Sequence, residues 1–321
     1  MFSIADTPHF QDAEKARAFL EKTRWPNGPV CPHCDCKTAY KLTAKPGSKK
    51  PVRPGVWKCK DCEQQFTVTV NTIFEDSHIP LHKWLLAIHL LCASKKGMSA
   101  HQLHRMLPVT YKTAWFMAHR IRHMMSQPSF KQKMRGVVEA DETYIGGKRK
   151  GQGGVGRPSV TGHKQQVFAL VQRDGDVRSF HVERVTAENL RSVLQQNVHA
   201  ASTVLTDNFV SYSGLDARFR KHFTVNHGEG EYARKVQTNL VAHTDTIEGV
   251  FSILKRGLTG VYHHVGKHHL HRYLSEFDFR YNTRKVSDTE RTMLALSQAE
   301  GKRLQLRESS SGPIGSSEKS N

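Results

Sequence analysis

Four cysteines constrain this chain more than any other feature. Cys31, Cys34, Cys59 and Cys62 form C-x2-C-x24-C-x2-C. Each C-x-x-C pair sits on a tight turn that lets both sulfurs face one ion, and two such pairs suit tetrahedral Zn²⁺. The gap between the pairs exceeds the usual spacing of roughly 15–20 residues. The insertion "KPGSKKPVRPG" accounts for the excess and leaves both knuckles intact. Two redox pairs would need a thioredoxin-like βαβ context, which is missing here. Cys36 lacks a matching partner spacing, Cys92 lies in an apolar helical stretch and reads as core, and His33 is not needed once four sulfurs complete the site. A small zinc ribbon over 29–72 is therefore expected. Cysteine used for metal rather than for disulfides points to a reducing compartment.

Around that ribbon the pattern divides the chain. A helical segment occupies 1–28, where "QDAEKARAFLEKT" has helical apolar spacing and stops at "WPNGP". Over 78–127 an apolar helix is followed by two more joined at "LPVT", with Pro108 ending one and Thr110 able to cap the next, a helix-turn-helix candidate. In the second of these, Ala114, Met117, Ala118 and Ile121 form one stripe, leaving Lys112, His119, Arg120, Arg122 and His123 to meet phosphates. The segment 134–286 alternates strands and helices and is read as α/β, with a hairpin at Asp174-Gly175-Asp176 and a helix capped by Thr186. Residues 287–321 read as helical and then disordered, ending in "LRESSSGPIGSSEKSN".

Charge narrows the partner. Lys and Arg number 48 against 29 Asp and Glu, a formal +19 with twenty histidines besides. A polyanion is implied, and nucleic acid before anionic lipid. No stretch approaches the length of a membrane span and the N-terminus lacks a signal-peptide pattern, so a cytoplasmic, nucleoid-associated protein is expected.

Acids within apolar surroundings then stand out. In the strand "GVVEADETYIGG", Glu139 and Asp141 share a face and Glu142 points to the other. Asp207 closes the apolar strand "STVLTD". In "HTDTIEGVFSILKRGL", Asp245 and Glu248 share a helix face, with Lys255 seven residues beyond Glu248 on the same side. Mutual repulsion would raise the pKa of gathered carboxylates unless a cation lay among them. Hard divalent ions, Mg²⁺ or Mn²⁺, supply that reason, and a pair of them can clamp both oxygens of a phosphodiester in displacement. The histidine-rich "YHHVGKHHLHRY" reads as a DNA-facing segment, because no acid or cysteine nearby completes a ligand set, and "GGKRKGQGGVGRP" reads as a basic loop over the site.

The stretches "CPHC", "WKCKDCEQQFTVTVNTIFEDSHIPLHKWL", "VVEADETYIGGK", "VLTDN" and "HTDTIEGVFSILKRGLTGVYHHVGKHHLHRYLSEFDFRYNTR" closely resemble the zinc-ribbon DDE transposases of bacterial insertion sequences. The resemblance covers residues 10 to 286. It implies an RNase H-like catalytic domain, a mixed five-stranded sheet flanked by helices, over 134–286. It implies Asp141, Asp207 and Glu248 as the acidic triad that holds Mg²⁺ or Mn²⁺, and Lys255 as the basic residue near donor DNA. Asp245 stands where relatives carry Asn and competes with Glu248 for the third place. Implied partners are double-stranded DNA, as terminal inverted repeats and target, and further copies of the chain, at least a dimer. A zinc-ribbon DNA-binding regulator with an inactive or domesticated catalytic domain is the alternative. A tyrosine recombinase using His269, Arg272 and Tyr281 lacks a tyrosine at the required later position.

Overall fold

The computed structural model describes residues 6–43, 52–126, 132–146 and 164–305. Residues 44–51 at the basic insertion, the glycine-rich basic loop beyond Gly146 and the tail from 306 fall outside these residues. The chain divides into two compact units, one running to Met125 and resumed from Val286, the other between Ser126 and Lys285.

The first unit opens with α1 (Ala13–Arg24), started by Asp12, whose carboxylate accepts from the Lys15 amide at 2.8 Å. Three short antiparallel strands follow, β1 (Ala39–Lys41), β2 (Trp57–Cys59) and β3 (Gln65–Phe66). After them come α2 (Leu81–Ala93), α3 (Ala100–Met106) and α4 (Tyr111–Met125). Thr110 caps α4, its hydroxyl accepting from the Thr113 amide at 3.2 Å. Cys92 is fully buried on α2, as its apolar setting implied.

The basic face expected on α4 is not there. His119, Arg120 and Arg122 are all buried. Arg120 donates to the carbonyls of Ile73 (2.8 Å), Glu75 (3.0 Å) and Leu304 (2.9 Å), so its guanidinium joins loops inside the unit. Helical spacing places these cations off the Ala114–Ile121 stripe, but α4 is enclosed on more than one side, and the stripe alone does not reveal that. Lys112 remains exposed.

The second unit is built on a five-stranded mixed sheet. Its strands are β4 (Val137–Ile145), β5 (Gln165–Gln172), β6 (Val177–Val182), β7 (Thr203–Asp207) and β8 (Lys221–Val225), in the spatial order β6-β5-β4-β7-β8. β4, β7 and β8 run parallel, while β5 and β6 form the antiparallel hairpin turned at 174–176. Between β6 and β7 lies α5 (Ala187–Asn197), capped by Thr186. Beyond β8 come the small pair β9 (Arg234–Gln237) and β10 (Leu240–Ala242), then α6 (Asp245–Gly257) and α7 (Leu270–Asn282).

Alternation decides what covers each face. Phe168 and Leu170 of β5, with Val138 and Ala140 of β4, pack on Leu190 and Leu194 of α5. Val167, Ala169 and Val171 point oppositely, to Ile247, Val250, Phe251 and Leu254 of α6 and to Leu274 and Phe277 of α7. The i, i+3, i+4, i+7 spacing of those α6 residues gives the helix its single buried stripe. The central strands are covered on both faces, so a carboxylate placed on them needs either a partner or a ligand.

A final helix, α8 (Asp288–Ser297), closed by a Ser287/Glu290 capping box, belongs to the first unit. Its Thr292 hydroxyl lies 3.1 Å from His89 Nδ1 on α2.

On α7, Asp278 accepts from both the amide and the hydroxyl of Ser179 at 2.7 Å. Burial pushes its pKa from 3.8 up to about 6. A folded pKa above the unfolded one means the side chain favours the fold most when protonated, and this contribution is lost as pH rises through 6. The loss is roughly 2 kcal/mol once partial exposure is allowed for. Asp278→Asn keeps an acceptor for the Ser179 amide and removes this dependence. Exchange protection of β6 in the variant should hold steady from mildly acid to neutral pH; an unchanged decline would assign the slope to another group.

Candidate active site and metal centres

The cysteine site comes together as the spacing requires. Cys31, Cys34, Cys59 and Cys62 offer sulfurs all within 4.8 Å of one another. Cys31–Cys62 and Cys34–Cys59 are each 3.6 Å apart. A tetrahedron with metal–sulfur bonds of about 2.3 Å has edges of about 3.8 Å, close to the two separations of 3.6 Å, so the four cysteines suit Zn²⁺. The amides of Cys62 and Asp61 draw the Cys59 thiol down to about 6, while hydrogen bonds among the sulfurs and burial push Cys34 and Cys62 up, so without a cation Cys59 loses its proton first and those two are held back.

The carboxylate site is set by strand register. Glu139 of β4 lies opposite Leu205 of the parallel strand β7. Two residues further, Asp141 and Asp207 come side by side on the same face, where the two strands stop pairing. Such a carboxyl-end gap between parallel strands is where open α/β sheets bind ligands. Asp141, Asp207 and Glu142 each bring one oxygen within 4.8 Å of the others. Three carboxylates gathered this closely are the donor set that a hard divalent ion takes, with oxygens about 2.1 Å from its centre.

Glu142 corrects the alternation argument. Its backbone does face away from Asp141, but at the open end of the strand its side chain reaches the same gap. Its amide bonds Asp141 Oδ1 at 2.8 Å, and Tyr212 donates its hydroxyl to Glu142 Oε2 at 2.5 Å. Burial, then the charge of Glu142, with Asp207 and Glu248 behind it, pushes Asp141 up to about 8. Burial also raises Glu142 and Asp207, and raises Tyr212 well above its ordinary value. Three carboxylates repelling one another in a half-buried gap are the electrostatic condition a cation would relieve.

Glu248, on the first turns of α6, lies outside the tight trio but within its field. Thr244, the residue before the helix, donates to Glu248 Oε1 at 3.0 Å, and His227 Nδ1 lies 3.6 Å from the same oxygen. Asp245 is more exposed and its carboxylate stands 3.7 Å from His243. Lys255 is exposed further along α6. Tyr212, His227 and Thr244 carry no motif that sequence alone would single out.

Glu139 shares a strand face with Asp141 but anchors α6. It is fully buried and accepts from Arg173 Nε (2.8 Å), Thr246 Oγ1 (2.9 Å) and the amide of Ile247 (3.1 Å). Arg173 also donates to the carbonyls of Val241 and His243. One carboxylate thus satisfies a free amide at the start of α6 and fixes the helix that carries Glu248 onto β4. Glu139→Ala leaves a largely enclosed guanidinium unpaired, and should lower the stability of the second unit by about 3 kcal/mol in urea unfolding, with Glu139→Gln less affected. Equal effects of the two would show that charge plays no part in the anchor.

Residues 133–282 match the ISXO2-like transposase domain and residues 11–65 match the transposase zinc-ribbon domain. The chain is similar to an uncharacterized protein in transposable element ISH50 of Halobacterium salinarum, with 29% identity over 285 residues, 84% of this chain and 91% of that protein. Among solved structures it is similar to the simian T-cell lymphotropic virus intasome bound to the PP2A regulatory subunit B56 gamma, at 14% identity over 61% of this chain and 65% of that one, TM-score 0.28. It is also similar to the Mos1 strand transfer complex, at 13% identity over 67% and 74%, TM-score 0.24. No helix among the described residues is long and apolar enough to cross a membrane.

Proposed function

We propose that this chain, which belongs to the zinc-ribbon, ISXO2-like family of insertion-sequence transposases, cuts DNA at the ends of its element and joins the freed 3′ ends to target DNA. The observation that carries this reading is the meeting of Asp141 and Asp207 at the open end of two parallel strands, with Glu248 within their field, in a chain of net charge +19. Bound in that gap, Mg²⁺ or Mn²⁺ would polarise the phosphodiester and lower the pKa of the attacking hydroxyl.

The chain's own residues do the rest. Asp141 and Asp207 present their oxygens from a rigid sheet. Glu248 comes from a helix braced by Glu139 beneath and Thr244 beside it, and for this reason we assign it, rather than the outlying Asp245, as the third acid. Lys255, on the same helix, is suited to a donor phosphate. The zinc ribbon and the helix pair α3–α4 are assigned to the terminal inverted repeats, with exposed Gln102, Arg105 and Lys112 replacing the buried cations of α4 as the contacting groups. Cutting and joining two ends calls for at least two copies.

The test uses labelled duplexes of the inverted repeats that border the gene. Binding is expected with or without divalent metal, cleavage and strand transfer only with it. Binding without cleavage in either Mg²⁺ or Mn²⁺ would leave a DNA-binding regulator.

A further inference from the structure

β7 ends at Asp207, and the chain turns at once through Asn208 into a tight 3-10 turn, Val210–Tyr212. The turn is fixed from below. Tyr212 is buried, holds Glu142 through its hydroxyl, and donates its amide to the Phe209 carbonyl at 3.0 Å. The Ser213 amide bonds the Val210 carbonyl at 3.0 Å, and Arg191 holds the Ser213 carbonyl. What this anchored turn shows to solvent is apolar: Phe209 is 37% exposed and Val210 81%.

One exposed valine needs no explanation. Here a phenylalanine and a valine form the tip of a braced turn, and the Phe209 amide donates to Asp207 Oδ1 at 3.2 Å. A phosphate held at Asp207 therefore brings its neighbouring nucleotides to this tip, since successive bases on a strand are only about 3.4 Å apart. The tip carries no charge to offer a phosphate. The largest apolar surfaces of a polynucleotide are the faces of its bases, larger than the thymine methyl or the sugar, and these faces become accessible where a pair is opened. On the Glu248 side, Tyr232 is 64% exposed and its ring lies 5.3 Å from that of His227.

We propose that Phe209 and Val210 form a wedge that unstacks the base pair next to the scissile phosphate, with Phe209 receiving a freed base. Apolar side chains pushed between base steps, and aromatic rings stacked on single bases, are established ways for proteins to open and hold DNA. The inference rests on the assignment of Asp207 as a metal-binding acid.

The experiment uses inverted-repeat duplexes with 2-aminopurine beside the scissile phosphate, with Ca²⁺ in place of Mg²⁺ so that an ion holds the phosphate at the carboxylates while cleavage does not intervene. Wild-type protein should raise the fluorescence as the base unstacks; Phe209→Ala/Val210→Ser should bind without raising it. With Mg²⁺, the double variant should cleave fully paired ends roughly tenfold more slowly, the effect of losing about one stacked base, and cleave ends carrying a mismatch at that pair at the wild-type rate. A variant that raises fluorescence as wild type does, or a loss that the mismatch does not restore, overturns the wedge. Wild-type cleavage with flat fluorescence also overturns it and leaves the active-site assignment standing. Neither cleavage nor a signal from wild type removes both.

Discussion

Asp141→Asn and Asp207→Asn will each lower metal-dependent cleavage of end DNA by on the order of a thousandfold, the several kcal/mol that a correctly held cation contributes to phosphoryl transfer. Both replacements keep the local hydrogen bonds: the Glu142 amide still finds an acceptor at 141, and the Phe209 amide still finds one at 207. The fold should therefore survive, and with one fewer repelling carboxylate the melting transition of the second unit should stay in place or rise without metal. Binding to the same DNA in EDTA should be unchanged or tighter, because a bare carboxylate beside a phosphate is repulsive and asparagine is not. A purely structural aspartate would not produce that opposite movement of binding and cleavage. The third acid separates by the same assay. Glu248→Gln should abolish cleavage and Asp245→Asn should not. If Glu142→Gln abolishes it and Glu248→Gln leaves it intact, the third acid is the strand neighbour of Asp141, and the assignment to α6 falls.

Those contrasts follow the division between what was legible in the sequence and what was not. Local periodicity and turn chemistry foretold the β5–β6 hairpin, the caps at Thr110 and Thr186 and the buried strand that carries Asp141, because each is decided by neighbours along the chain. The cysteine site was legible because its geometry is built into two tight turns. The misreadings all concern residues whose fate is set by distant segments. Arg120 looked like a phosphate ligand because its partners, the carbonyls of Ile73, Glu75 and Leu304, lie 45 to 184 residues away. Glu139 reads only as an acid on the face of Asp141, because nothing in its own strand announces the start of a helix 108 residues later. Glu142 was set aside on strand alternation, which holds within a paired strand and fails where β4 runs on past its pairing with β7 and a long side chain can turn the edge.

The other large effect concerns zinc. Chelation, or Cys59→Ser, will unfold the ribbon while the second unit keeps its own transition. The three strands of the ribbon have only three, three and two residues, and its buried apolar side chains are few, chiefly Val56, Phe66 and Val68 with Trp25 packed edge-on to Phe66. A core of that size does not offset the entropy of ordering the chain unaided. Structural zinc contributes about 10–16 kcal/mol at neutral pH, and because no preformed site exists in the unfolded chain this binding energy is folding energy. Hydrogen exchange should then show the amides of Cys31, Cys59 and Lys60, whose bonds to Cys36, Gln64 and Thr38 close the knuckles, losing protection on chelation and regaining it when Zn²⁺ is restored. Amides of β4 and β7 should not respond. End binding should fall with the ribbon, since a contact surface without a fixed shape loses the register that phosphate contacts provide. Protected knuckle amides after complete removal of metal would mean that the strands hold the cysteines in place, and that the metal is bound by the ribbon without building it.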